Sequence, residues 1–365
     1  MPKRSYLLFA VVFISFLKLF YLFFIQNHFK KIRQNNTPNH IVLRVERDYR
    51  HNNYFKYINK DRKQDYFEVD VYKANSFTKI KKIDFRKLLF FFINNFKSLF
   101  SLDQDKYKYK LLSEKSFSTN LAFYSYFSAL FHEIKMKNPN TEIFHGGAAL
   151  AADASSEQGL RCTMLSHGII DPLNVRLIPR SSKIYVYSDD EKRYLEKRLN
   201  GTEIEIYPMC HIEQSKKTLI CFLDYLIDKK DELNLNEVLT IFKNLNYKIL
   251  FKAHPETDFN SEFILNLRDK YKLDILFNRE LDAETLIRIE KPKFVLTWLS
   301  TAACESLRCG VIPICISEDE KSPWFNTPYP FRKRTIFWKH EKGMLNKVIS
   351  EPDQYSGVLN LLSTR

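Results

Sequence analysis

Two hydrophobic periods alternate along this chain. Short segments, most of them rich in apolar residues, fall at residues 41–45, 141–144, 162–165, 182–187, 218–223, 247–253, 274–277, 294–298 and 311–316. Runs this short and this apolar predict strands covered on both faces. Residues 66–72 alternate apolar with polar, which predicts a half-buried strand. Between the runs lie segments of helical period at 84–101, 120–136, 148–159, 234–245, 282–289 and 302–307, with a further helix starting at Asp189. Asp282 stands where an N-cap is needed, and Gly310 where a helix should stop. Strands alternating with helices predict an α/β fold with parallel sheets. The pattern restarts near residue 213. That predicts an N-terminal Rossmann-like domain over 40–212, a second over 213–345 and a C-terminal tail over 346–365, with a closing helix at 342–349. Residues 324–331, rich in aromatics and Pro, read as loop.

Ahead of this pattern, residues 6–25 are nearly uninterrupted apolar positions with one charge, Lys18. About 20 apolar residues can just span a bilayer as a helix. No small-residue cleavage site follows, so the segment reads as a membrane anchor joined to the body by a basic linker ending at 39. Lys3 and Arg4 precede it, and Lys30, Lys31, Arg33, Arg44, Arg47 and Arg50 follow it. That excess places the body in the cytoplasm by the positive-inside rule. A helix lying in the interface is one alternative. A lumenal body in the secretory pathway, with sequons at Asn35 and Asn200, is another. Residues 84–101 carry many Phe with basic residues at intervals, and fit either a membrane-hugging helix or a core helix.

The net charge of +14 on 365 residues calls for an acidic partner. Much of it lies before residue 120, in runs such as Lys79 to Lys82 and Lys106 to Lys110. The chain has no RNP motif, zinc-finger spacing or helix-turn-helix signature, so a membrane surface or an acidic glycan fits better than nucleic acid. Six cysteines without a CxxC pair favour buried free thiols in a reducing compartment. No His/Cys cluster has metal-ligand spacing, and no metal is expected. Asp103-Gln104-Asp105 has the form of a DxD metal motif, but it sits in a Lys-rich stretch with no strand before it and reads as solvated loop.

The chemistry concentrates in residues 294–317, which read as strand, turn, helix, turn and strand. A helix N-terminus at the carboxyl end of a parallel strand attracts anions through its free N–H groups and dipole. Ser300 and Thr301 place two hydroxyls there, which points to a phosphate. Glu305, four residues after Thr301, is expected on the same helix face, where a carboxylate could meet ribose hydroxyls. His254 ends another strand, and Pro255 stops that strand's pairing.

Lys252 to Pro255 resembles the HP motif, and Ser300-Thr301 with Glu305 the Ser/Ser-Thr motif, of bacterial sialyltransferases and capsule-type transferases that use CMP-activated acidic sugars. The resemblance covers roughly 218–317. It implies a GT-B fold, two Rossmann-like domains with a facing cleft. It also implies a CMP-linked donor and no separate cofactor, a glycan or glycolipid acceptor, and CMP contacts by His254, Pro255, Ser300, Thr301 and Glu305.

The N-terminal half departs from that family. Its (D/E)(D/E)G motif, whose carboxylate is the general base, is matched only by Asp189-Asp190 followed by Glu191. Ser166-His167-Gly168 resembles instead the HG motif of CDP-glycerol polyol-phosphate transferases, in which the histidine is the base. A neutral imidazole takes a proton well near pH 7. His167 is therefore the first candidate base, with Asp171 and Glu157 next and Asp153 last. His145-Gly146-Gly147, at a third strand end, reads as a tight turn or a cradle for the donor or acceptor. The alternatives to a CMP-sugar transferase are a polyol-phosphate transferase and a non-catalytic membrane-bound protein of the same fold.

Overall fold

The computed structural model describes residues 13–15, 17–18, 40–44, 66–70, 84–98, 117–146, 149–166, 170, 178–187, 189–208, 210, 212, 217–223, 229–254, 257, 262–271, 275–276, 281–298, 300–316 and 336–337. It divides into two compact units. One takes in Met1–Val186 and Leu195–Glu205, the other Tyr187–Tyr194 and Ile206–Arg365.

In the first unit β1 (His40–Arg44), β2 (Tyr66–Asp70), β3 (Glu142–His145), β4 (Arg161–Leu165), β5 (Lys183–Val186) and β6 (Glu203–Ile206) form one sheet in the order β2-β1-β3-β4-β5-β6. The β1–β2, β1–β3, β3–β4 and β4–β5 pairs are parallel. Helices α1 (Phe85–Ser98), α2 (Phe117–Lys137) and α3 (Ala149–Glu157) pack together over the sheet. Leu88 and Phe92 of α1, Leu121, Phe127, Leu130 and Phe131 of α2, and Ala151 and Ala154 of α3 share a core with Ile41 and Ile143. The α1–α2 seam is also polar. Asn95 Nδ2 donates to Ser125 Oγ and Ser128 Oγ at 3.4 Å, and Lys87 pairs with Glu133.

The second unit holds most of α4 (Asp189–Glu196), and β7 (Thr218–Leu223), α5 (Lys229–Asn244), β8 (Lys248–Ala253), α6 (Glu262–Tyr271), β9 (Ile275–Leu276), α7 (Ala283–Glu290), β10 (Phe294–Thr297), α8 (Thr301–Arg308), β11 (Ile312–Cys315) and β12 (Ile336–Phe337). Its sheet runs β12-β11-β10-β7-β8-β9, with every neighbouring pair parallel. Leu219, Cys221, Phe251 and Leu296 meet α5 and α6 on one face. Ile220, Phe222 and Val295 meet α7 and α8 on the other. Burial on both faces explains why β7 and β10 are buried at every position and read as unbroken apolar runs.

The parallel α/β architecture with two sheets is the one the sequence predicts. The unpredicted elements are β6, α6 and β12. The expected closing helix and the loop at 324–331 lie outside the described residues. So does most of the apolar segment 6–25, of which residues 13–15 and 17–18 are helical. Among the described residues no helix is long and apolar enough to cross a membrane, so the expected spanning anchor finds no support there.

Candidate functional site

The carboxyl end of the second sheet is built from local rules. Ser300 has extended backbone (φ −124°, ψ 153°), and its Oγ accepts from the Ala302 N–H at 3.3 Å, so it is the N-cap of α8. The far end closes with Gly310 at φ +75°, where only glycine is unstrained. There Gly310 N–H donates to Leu307 C=O at 3.0 Å and Val311 N–H to Ser306 C=O at 2.9 Å. This is the Schellman pattern, and it turns the chain straight into β11. The helix is thereby fixed with its N-terminus at the end of β10.

His254 follows β8 directly and is exposed. Its N–H continues the ladder to Leu223 C=O at 3.1 Å, and its C=O accepts from Thr257 N–H at 3.0 Å. The strand order places β7 between β8 and β10. Strands β8 and β10 therefore lie about two strand spacings, or ~10 Å, apart. Thr301, partly buried, is the first residue of α8. Pro255 lies outside the described residues.

Glu305 packs inward. It is only 3% exposed, on the sheet side of α8, where it feels Lys252. Six of the eight residues of this short helix are buried. Lys252 pairs in register with Phe222, and continuing the β10–β7 register by one residue sets Thr297 on the same row. Burial pushes the Lys252 ammonium below its ordinary value, partly offset by the Asp282 and Glu305 carboxylates. Thr297 Oγ1, fully buried on this row, has no hydrogen-bond partner among the described residues.

A second polar cluster joins α7 to α8. Arg308, 2% exposed at its side chain, places Nη2 2.5 Å from Glu284 Oε2. Glu284 Oε1 accepts from Arg288 Nε at 2.9 Å and Nη2 at 2.5 Å. The Arg308 guanidinium also stacks over the Tyr207 ring, 5.1 Å from its centroid. Cys210 and Cys309 flank Glu284, with the three ligand atoms within 4.8 Å of one another. No sequence spacing announced this group, because its members come from separate segments.

In the first unit Asp153 is fully buried on α3. Tyr124 Oη donates to its Oδ2 at 2.7 Å, and Arg180 Nε lies 3.7 Å from its Oδ1. Burial pushes the Tyr124 phenol well up, with the Asp153 and Glu157 carboxylates adding to the shift. Glu157, exposed at the end of α3, is the one of the three leading base candidates within the described residues; His167 and Asp171 are not among them. His145 is fully buried at the end of β3, its Nε2 3.3 Å from Ser181 Oγ, so it is a packed turn residue. Glu191 is also buried, and it accepts the Tyr187 N–H at 3.0 Å. It thus closes the first turn of its own helix, where the family motif would have Gly.

No family model matches the chain, and no curated protein does. Solved structures include similar chains at low identity. The Os79 protein of O. sativa, in complex with UDP and deoxynivalenol-3-glucoside, is 9% identical over 88% of this chain and 94% of that one, with a TM-score of 0.48. The UDP-GlcNAc 2-epimerase of Neisseria meningitidis bound to UDP-GlcNAc is 8% identical over 88% and 94%, with a TM-score of 0.46. The Methanocaldococcus jannaschii UDP-GlcNAc 2-epimerase is 13% identical over 76% and 83%, with a TM-score of 0.39.

Proposed function

We propose that this protein is a GT-B glycosyltransferase that moves an acidic sugar, sialic-acid-like or Kdo-like, from a CMP donor to a hydroxyl of a surface glycan or glycolipid. One observation carries the reading: the Ser300-capped N-terminus of α8 opens at the end of β10, on the sheet edge that also carries His254. The helix N–H groups and dipole suit the departing CMP phosphate, and His254 at the end of β8, two strands away, suits its ribose. The Thr297 hydroxyl, unpaired among the described residues, lies at the same strand end. The acceptor proton goes to His167 in this scheme, with Asp171 or Glu157 as the carboxylate alternative.

The enzyme works at an anionic membrane face, with its body on the cytoplasmic side. Helix α1 supports this. One of its faces is in the core, and the other exposes Phe90 (60%) and Ile93 (41%) beside Arg86, Asn94 and Lys97. Those five positions follow helical spacing on a single face. Apolar side chains framed by cations suit an interface with acidic lipid headgroups.

The test is CMP release by the full chain, given CMP-sialic acid, CMP-Kdo or CDP-glycerol with a glycan acceptor. Release from a CMP-sugar is expected. Turnover of CDP-glycerol alone would transfer the assignment to polyol-phosphate chemistry, and turnover of none would favour a non-catalytic protein.

A further inference from the structure

Cys210 and Cys309 lie side by side in the second unit. Cys210 N–H donates to Arg308 C=O at 2.8 Å, and Ile212 N–H to Cys309 C=O at 3.4 Å, so the two backbone segments run together. Their sulfurs are within 4.8 Å of each other. Two thiols beside the Glu284 carboxylate form a donor set of the kind a soft divalent cation takes. The surroundings oppose a cation. Both Glu284 oxygens are held by guanidiniums, Oε1 by Arg288 and Oε2 by Arg308. Both arginines also lie within electrostatic reach of the Cys309 thiol. A metal ion would have to enter between two fixed positive charges and displace them from the carboxylate.

We infer that Cys210 and Cys309 form a modification site at which a small-molecule disulfide, of the glutathione disulfide class, closes an intramolecular bond. The Cys210 thiolate attacks one sulfur of the oxidant and expels one small thiolate, leaving a mixed disulfide. Cys309 then attacks the Cys210 sulfur and expels the second. The protein pair loses two electrons and two protons in all, and the oxidant becomes two thiols. Accessibility sets the order. Cys210 is half-buried and can meet the oxidant, whereas Cys309 is buried. Burial also pushes the Cys309 thiol up, which makes it a poor first nucleophile. Cys162, Cys221, Cys304 and Cys315 are buried and shielded from the oxidant. Neither partner lies inside a helix: Cys309 is the C-cap of α8, and Cys210 precedes β7. Rotamer changes at both can therefore bring the sulfurs from within 4.8 Å to the bonded ~2.05 Å. The bond fastens the segment that leads into β7 to the end of the helix carrying Ser300, and encloses β7 through α8. It does not depend on which nucleotide the site takes.

The experiment equilibrates the full chain with glutathione disulfide and glutathione at graded ratios, followed by non-reducing peptide mapping and a melting curve. The expected result is one peptide linking Cys210 to Cys309, four of the six thiols left to titrate in denaturant, and a rise in Tm that dithiothreitol reverses. Cys210→Ser and Cys309→Ala should each abolish the linked peptide and the Tm rise. A stable glutathione adduct on Cys210, a bond to another cysteine, or one bound zinc that blocks oxidation would each overturn the inference.

Discussion

Arg308 and Glu284 meet 2.5 Å apart in the interior of the second unit, and their contact locks α7 to α8. The arginine is 2% exposed, so its charge depends on that carboxylate and on the Tyr207 ring. Removing one partner of a buried pair leaves the other charge uncompensated. Glu284→Gln is therefore expected to destabilise the protein by about 3–5 kcal/mol in urea unfolding. A loss below about 1 kcal/mol would mean that water reaches the guanidinium.

Lys252 and Glu305 give a pH signature. Burial holds the Lys252 ammonium below its ordinary value, and the Asp282 and Glu305 carboxylates limit that drop. The unfolded chain then binds more protons between the folded and unfolded lysine values, so stability rises with pH through that alkaline window. Glu305→Gln removes one offsetting charge and lowers Lys252 further. The variant should lose about 1–3 kcal/mol near neutral pH and recover part of it on the way up to the unfolded lysine value, ~10.4. Unfolding curves at neutral and alkaline pH check this; a deficit independent of pH would separate Glu305 from Lys252.

The exposed face of α1 makes a prediction about membranes. Phe90→Ser with Ile93→Ser removes two exposed apolar side chains. Sedimentation with vesicles rich in acidic lipid should weaken at least about tenfold, with the melting temperature nearly unchanged. Equal binding by the double variant would remove α1 from the membrane contact.

Much of the order of strands and helices is legible in the sequence because the second sheet is covered on both faces. Val295 meets one helix layer and Leu296 the other, so no position between Phe294 and Thr297 can be polar-facing, and the run stands out. β6 was missed for the opposite reason. It is an edge strand reading Glu203-Ile204-Glu205-Ile206, whose glutamates pair with Lys183, and it has too few apolar residues to stand out. Its alternation was the available signal. The ends of β8 and β10 were legible because His254 and Ser300 each follow an apolar run directly. The burial of Glu305 was not, since i, i+4 spacing fixes a helix face but not which face meets the sheet. Glu284, Arg308, Cys210 and Cys309 come from segments far apart in the chain, and only the packing of α7 on α8 unites them.

The central claim is that the N-terminus of α8 holds a nucleotide phosphate, and calorimetric titration with CMP and with cytidine tests it most directly. The sharpest variant is Ser300→Asp. Aspartate caps a helix as well as serine does, so the fold is retained, but its carboxylate takes the place of the phosphate. The account predicts that the wild-type protein binds CMP at least about tenfold more tightly than cytidine, and that Ser300→Asp erases the difference. Equal affinity for CMP and cytidine in the wild type, or a CMP preference that survives in Ser300→Asp, would contradict it.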